Sequence, residues 1–146
     1  MVTSFLFFIF CYYKQMENCI FCKIVKGEIH CNKIYEDTNF LAFLDIEPVA
    51  NGHILIIPKE HVLWMQEVND KSIGDIFILT KKLMLAIKKG LGCDYIQEGV
   101  YGEEIQHFHI HLIPRYFEDN LPKFPRKKYK DDTEKNEIIS KITQAL

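Results

Sequence analysis

The stretch His107-Phe108-His109-Ile110-His111-Leu112-Ile113 decides how this chain folds. Three of its six histidines stand here at every second position. A β-strand turns successive side chains to opposite faces, so the spacing puts His107, His109 and His111 on one face and Phe108, Ile110 and Leu112 on the other. A helix would scatter the imidazoles around its axis. The pattern predicts a strand with one apolar face turned to a core and a titratable ridge on its back. Pro114 is expected to end that strand.

Working outward, residues 98–104 contain Gly99 and Gly102 and read as a loop, preceded by a brief strand over 95–97. Residues 70–91 are the best helix. Ile73, Ile76, Phe77, Leu83, Met84, Ile87 and Leu91 recur at three- and four-residue intervals, Asn69 or Asp70 can cap the start, and Gly90 and Gly92 flank the end. Residues 33–36 and 40–45 form a hairpin around Asp37-Thr38-Asn39. Asn51-Gly52 marks a tight turn before a strand over 53–57, which Pro58 stops, and a short helix follows His61. Residues 134–146 read as a final amphipathic helix carrying Ile138, Ile139, Ile142 and Leu146. The order strand, strand, strand, helix, strand, strand lacks βαβ alternation. It predicts an α+β domain: one antiparallel sheet of about five strands, one long helix and one or two shorter ones.

A chain of 146 residues supports one domain with a real core. A formal charge of −2 excludes general affinity for nucleic acid or for an anionic membrane, so any anionic ligand must be held by local features. Residues 5–13 are apolar but too short to span a bilayer, and they lack the basic flank and cleavage site of a signal peptide. Met16 follows at once, so residues 1–15 are read as a dispensable extension ahead of a domain over 16–116. Residues 117–146 form a charged segment and the last helix. Lys123, Arg126, Lys127, Lys128 and Lys130 crowd that segment. It reads as a solvated tail, with reach over a phosphate-bearing ligand as the alternative. The cysteines at 11, 19, 22, 31 and 93 are odd in number and give no disulfide framework. Cys19-Ile20-Phe21-Cys22 reads instead as a metal-binding or redox pair.

Burying three imidazoles requires three sets of hydrogen-bond partners, which makes a purely structural ridge costly. Two uses remain. The ridge can be a metal platform, because imidazole ligates zinc, copper and iron. It can also do phosphorus chemistry, since a neutral imidazole is nucleophilic near neutral pH and its neighbours can donate to phosphate oxygens. Spacing alone does not choose between them.

The run resembles the His-φ-His-φ-His-φ-φ signature of the histidine triad (HIT) superfamily. The likeness extends in family order over residues 17–116. Residues 19–29 resemble the N-terminal segment of zinc-containing members, and residues 41–48 (Leu-Ala-Phe-Leu-Asp-Ile-Glu-Pro) their nucleoside-pocket strand. Residues 52–61 resemble the element that ends in Pro-x-x-His, and Ile113-Pro114-Arg115-Tyr116 is typical of one branch.

The resemblance implies a hydrolase that binds a purine nucleotide and attacks the α-phosphorus through a nucleotidyl-histidine. His109 would be the nucleophile, His111 would hydrogen-bond the phosphate and His53 would support the cluster. Asp45 would accept from ribose hydroxyls, with Phe43 and Ile46 lining the nucleoside pocket. Gln97, Glu103 and Glu104 would stand near the substrate. A structural zinc would be held by Cys19, Cys22, His61 and His107, filling a tetrahedral site with no open position. The implied substrate is a nucleoside phosphoramidate or a related AMP-X compound. The alternatives are a dinucleoside polyphosphate hydrolase, a nucleotide-binding regulatory module with little activity, and a metalloenzyme built on the triad. A homodimer, a cytoplasmic (also nuclear) location, and no nucleic-acid or membrane partner complete the expectation. The chain departs from the family pattern at Glu103, where Gln is usual, and at Gln97, where Asn is usual.

Overall fold

The computed structural model describes residues 18–122 and 125–146, so the extension read over 1–15 lies outside the described residues. The elements run α1 (Ile20–Val25), β1 (Lys33–Glu36), β2 (Phe40–Leu44), β3 (Ile54–Pro58), a short 3-10 turn (Met65–Glu67), α2 (Asp70–Leu91), β4 (Tyr95–Gly99), β5 (Ile110–Arg115) and α3 (Asp132–Thr143). The five strands form one sheet in the order β1-β2-β3-β5-β4, with every neighbouring pair antiparallel. This is the α+β architecture the sequence predicts.

Strand alternation divides the interior in two. Phe40, Ala42, Ile54, Ile56, Phe108, Ile110 and Leu112 face α2, where Ile76, Leu79, Leu83 and Ile87 supply the helical stripe. Leu41, Phe43, Leu55 and Ile57 face the other way and are covered by Phe21 of α1. A 22-residue helix holds its place because both ends are satisfied. Asn69 accepts from the Ser72 N–H at 2.9 Å, and Gly92, at φ 65°, closes the helix with its N–H on Lys88 O.

Several boundaries differ from the sequence reading by one or two residues, such as β4, which runs to Gly99 and not 97, and three others have a physical reason. Regular pairing in β5 starts at Ile110, not His107. On the register that pairs Ile56 with Ile110, Pro58 falls opposite Phe108. Pro58 has no N–H for the ladder, and the Phe108 N–H turns instead to Val62 O at 2.6 Å. The alternation nevertheless persists through His107 and His109. Pro114 does not end the strand: it pairs with Ile96 of β4, beyond the last β3 partner of β5. With a ladder on one side only, a missing N–H is tolerated. The last helix starts at Asp132 and buries none of its residues. Ile139 and Ile142 remain exposed, as does Leu146 beyond its end.

Candidate active site

The histidine run lies where β5 leaves the cover of α1. His107 is 0% exposed and His109 5%, both edge-on to the Phe21 ring at centroid distances of 5.7 and 5.2 Å. His111 pairs with Leu55 across β3 and packs against Tyr101 at 5.1 Å. Burial holds His53, His61, His107, His109 and His111 below the ordinary imidazole range, so these rings are neutral near pH 7. His111 is pushed to about 4 by burial first, then by His109 and His53. His107 also falls to about 4, chiefly by burial.

Hydrogen bonds fix which nitrogen of each neutral ring carries the proton. His109 Nδ1 lies 2.7 Å from the carbonyl oxygen of His107, which can only accept. The proton therefore sits on Nδ1, and Nε2 presents a lone pair. The Val49 backbone N–H donates to His53 Nδ1 at 3.2 Å, which leaves the His53 proton on Nε2. That proton points at His111 Nδ1, 2.9 Å away. His111 must then carry its own proton on Nε2, a buried donor with no hydrogen-bond partner among the described residues. A lone pair on one histidine and an unused N–H two residues on form a matched pair: a nucleophile beside an anion donor.

A separate cluster sits at the start of the run. Ligand atoms of Cys19, Cys22, His61 and His107 all lie within 4.8 Å of one another. Cys22 Sγ is 3.2 Å from His61 Nδ1 and 3.7 Å from His107 Nδ1, and Cys19 Sγ is 3.5 Å from His107 Nδ1. Metal–sulfur and metal–nitrogen bonds of usual length at a tetrahedral zinc put S and N about 3.6 Å apart. The donors thus already stand at that spacing. His107 Nε2 donates to Pro58 O at 2.9 Å, which turns the Nδ1 lone pair toward the sulfurs. Burial and the neighbouring Cys19 push the Cys22 thiol up to about 12. A divalent cation would reverse that preference and favour thiolates.

His109 and His111 open onto a cavity of about 790 Å³. Asp45, Ile46, Glu103 and Glu104, all named by the sequence reading, line it. Asp45 Oδ1 accepts from the Glu47 N–H at 3.0 Å, while Oδ2 lies 3.4 Å from His53 Nδ1. Phe43 is buried and meets the edge of Phe21, which is itself the lining residue. Gln97 is not in the lining: its side chain accepts from Arg115 on β5. Trp64, Tyr101 and Phe21 are aromatic walls that sequence reasoning passed over. Gly102 held the only signal for Trp64, because a Cβ there would stand 2.4 Å from the indole Cζ3.

The HIT domain family matches residues 26–118. This chain belongs to the HIT family. It is 40% identical over 132 residues to an adenosine 5′-monophosphoramidase of Schizosaccharomyces pombe, a match covering 86% of this chain and 98% of that one. A crystal structure of a HIT family member from Bacillus subtilis superposes with a TM-score of 0.79 at 35% identity, covering 88% of this chain and 97% of the other. A Zn-bound histidine triad protein from Mycobacterium smegmatis gives 0.69 at 27% identity, covering 90% and 99%. Among the described residues of this HIT chain, no helix is long and apolar enough to cross a membrane.

Proposed function

We propose that this HIT-family enzyme hydrolyses a purine nucleoside 5′-phosphoramidate, or a related AMP-X compound, through a nucleotidyl-His109 intermediate. The observation that carries the reading is the proton placement: the His109 Nε2 lone pair opens onto the cavity, beside the unused His111 N–H. The phosphoramidase relative supports the adenosine class.

In the first step the His109 Nε2 lone pair forms a bond to the α-phosphorus. The P–N bond breaks, its electron pair goes to the leaving nitrogen, and that nitrogen takes a proton from water. His111 Nε2–H donates to a non-bridging phosphate oxygen, and His53 keeps that N–H in place. The substituted imidazole of His109 is now cationic, and its Nδ1–H remains on the His107 carbonyl, where a charged donor is bound more strongly. In the second step water attacks phosphorus, the electron pair of the P–N bond returns to Nε2, and the water proton leaves to solvent. Dividing the displacement in this way replaces one slow reaction with two faster ones. Asp45 and Ile46 at the β2–β3 connection are the proposed ribose and base contacts, with Phe43 supporting them through Phe21. Gln97, held by Arg115, is assigned to the scaffold of β4 and β5.

We assign a structural zinc to Cys19, Cys22, His61 and His107. Four protein donors leave no position for water, so the ion would pin α1 and the Pro58–His61 segment to the start of the triad. We also assign a homodimer built on the edge strand β4 and the outer face of α2, where Tyr95, Ile78 and Leu85 are exposed. A cytoplasmic location suits a site that needs reduced thiols at Cys19 and Cys22. The test of function is turnover of an adenosine phosphoramidate by the purified protein and by His109→Ala. Loss of at least about a thousandfold in the variant is the expected result for removal of a covalent nucleophile. Equal turnover would refute the assignment.

A further inference from the structure

His111 is fixed by a hydrogen bond at one nitrogen only. His53 donates to its Nδ1 at 2.9 Å, while the Nε2–H assigned to the phosphate is buried and has no hydrogen-bond partner among the described residues. One bond anchors an imidazole at one point and leaves the ring free to tilt about it. The direction of the Nε2–H is therefore set by what packs against the ring. In an antiparallel sheet that packing comes first from the residues directly opposite, whose side chains share the same face. On β3 the residue opposite is Leu55, part of the core. On β4 it is Gly99, which has no side chain to offer.

Tyr101 takes that place. Its ring lies 5.1 Å from the His111 ring, centroid to centroid, at an interplanar angle of 66°. This is the edge-on arrangement that aromatic pairs favour. Gly99 makes it possible. A Cβ there would stand 2.5 Å from Tyr101 Cε2 and Oη and 2.6 Å from Cζ, so the ring rests directly on the backbone of β4. The His109 ring, 4.8 Å away, packs against the same imidazole. His111 is thus held between rings, and Tyr101 supplies the one on the β4 side.

We infer that Tyr101 is a positioning residue for this reaction: its ring, seated over Gly99, sets the direction of the His111 N–H. The kinetic part of the inference rests on the phosphoramidate reading above. No bond is made or broken at Tyr101. A donor at phosphorus matters most as charge builds on the phosphate oxygens, so a tilted His111 slows the chemical step and leaves substrate binding nearly unchanged.

The test compares full-length wild type with Tyr101→Phe, Tyr101→Ala, Gly99→Ala and the Tyr101→Ala/Gly99→Ala double variant. Two readouts are taken: the imidazole NMR signals of His111, assigned by their loss in His111→Asn, and kcat and KM for an adenosine phosphoramidate. Tyr101→Ala removes the ring, and Gly99→Ala pushes an intact tyrosine off its seat. Both are expected to shift the His111 signals and to lower kcat by about tenfold or more, with KM within about threefold of wild type, as for a donor misaligned but still present. Tyr101→Phe keeps the ring and is expected to restore the His111 signals and most of the kcat lost in Tyr101→Ala. In the double variant Gly99→Ala adds nothing further, because its three nearest contacts are all atoms of Tyr101. His111 signals unmoved in Tyr101→Ala would overturn the inference. So would a raised KM at unchanged kcat, which marks a side chain that touches substrate instead, or a Tyr101→Phe variant as slow as Tyr101→Ala. A wild type that cleaves no phosphoramidate would sink the reading of function on its own. The His111 signals would then still decide whether Tyr101 holds that ring.

Discussion

Acidification should weaken this protein through His111 in an amount the structure sets. His111 is held at about 4 in the folded state by burial, His109 and His53. In the unfolded chain it returns to about 6.5. Because the folded value is the lower one, the unfolded state binds the extra proton as pH falls. Stability from this group is full above the unfolded value, falls through the window between the two values, and levels off below the folded one. Between about pH 7.5 and pH 5 the loss is about 2 kcal/mol, from the ratio of the two binding polynomials. The assay is urea unfolding across that range for wild type and His111→Asn. The difference between them removes contributions from the other buried histidines that do not touch His111, although His53, 2.9 Å away, and His109, with its ring centroid at 4.8 Å, belong to the measured cluster. The variant is expected to lose about 2 kcal/mol less than wild type over the interval. Parallel loss in the two proteins would show that His111 is not held neutral, and the proton placement built on it would fall.

Other outcomes follow from the same geometry. Freshly purified protein should contain about one zinc per chain, the stoichiometry of one closed four-donor site, and Cys22→Ser should lower both metal content by elemental analysis and the melting temperature. Full metal content in that variant would remove Cys22 from the site. Phe108→Ala should cost about 3–5 kcal/mol in denaturant unfolding, since the ring is 2% exposed and joins the core under α2. Phe117→Ala, at a ring 75% exposed, should stay within about 0.5 kcal/mol of wild type. Similar costs for the two would contradict the assignment of faces.

Much of the fold was readable from periodicity. The alternating histidines sort Phe108, Ile110 and Leu112 into the core, and the helix over 70–91 is bounded by Asn69 and Gly92 as its caps predict. Strand ends were less readable, because they depend on the partner strand. Pro58 stops the ladder opposite Phe108, while Pro114 sits where β3 no longer reaches. The apolar spacing of Ile138, Ile139 and Ile142 signals a helix but not a surface to cover it. At the site, the structure brings Cys19, Cys22, His61 and His107 together, and Asp45, Ile46, Glu103 and Glu104 line one cavity with His109 and His111. Gln97 does not join them, because a buried Arg115 eighteen residues on captures its side chain. Trp64 and Tyr101 carry no motif. Their place in the wall comes from loops folding over the sheet, a non-local contact that single-sequence periodicity cannot encode.

The central claim is covalent chemistry at His109, and one measurement addresses it directly. Full-length protein is mixed with an adenosine phosphoramidate, quenched in base within milliseconds, digested and analysed by peptide mass spectrometry. The account predicts one adenylate on the peptide containing His109, formed and lost at rates that support turnover and missing from His109→Ala. Turnover with no adduct at any quench time, or an adduct on His111 or His53 instead, would contradict it.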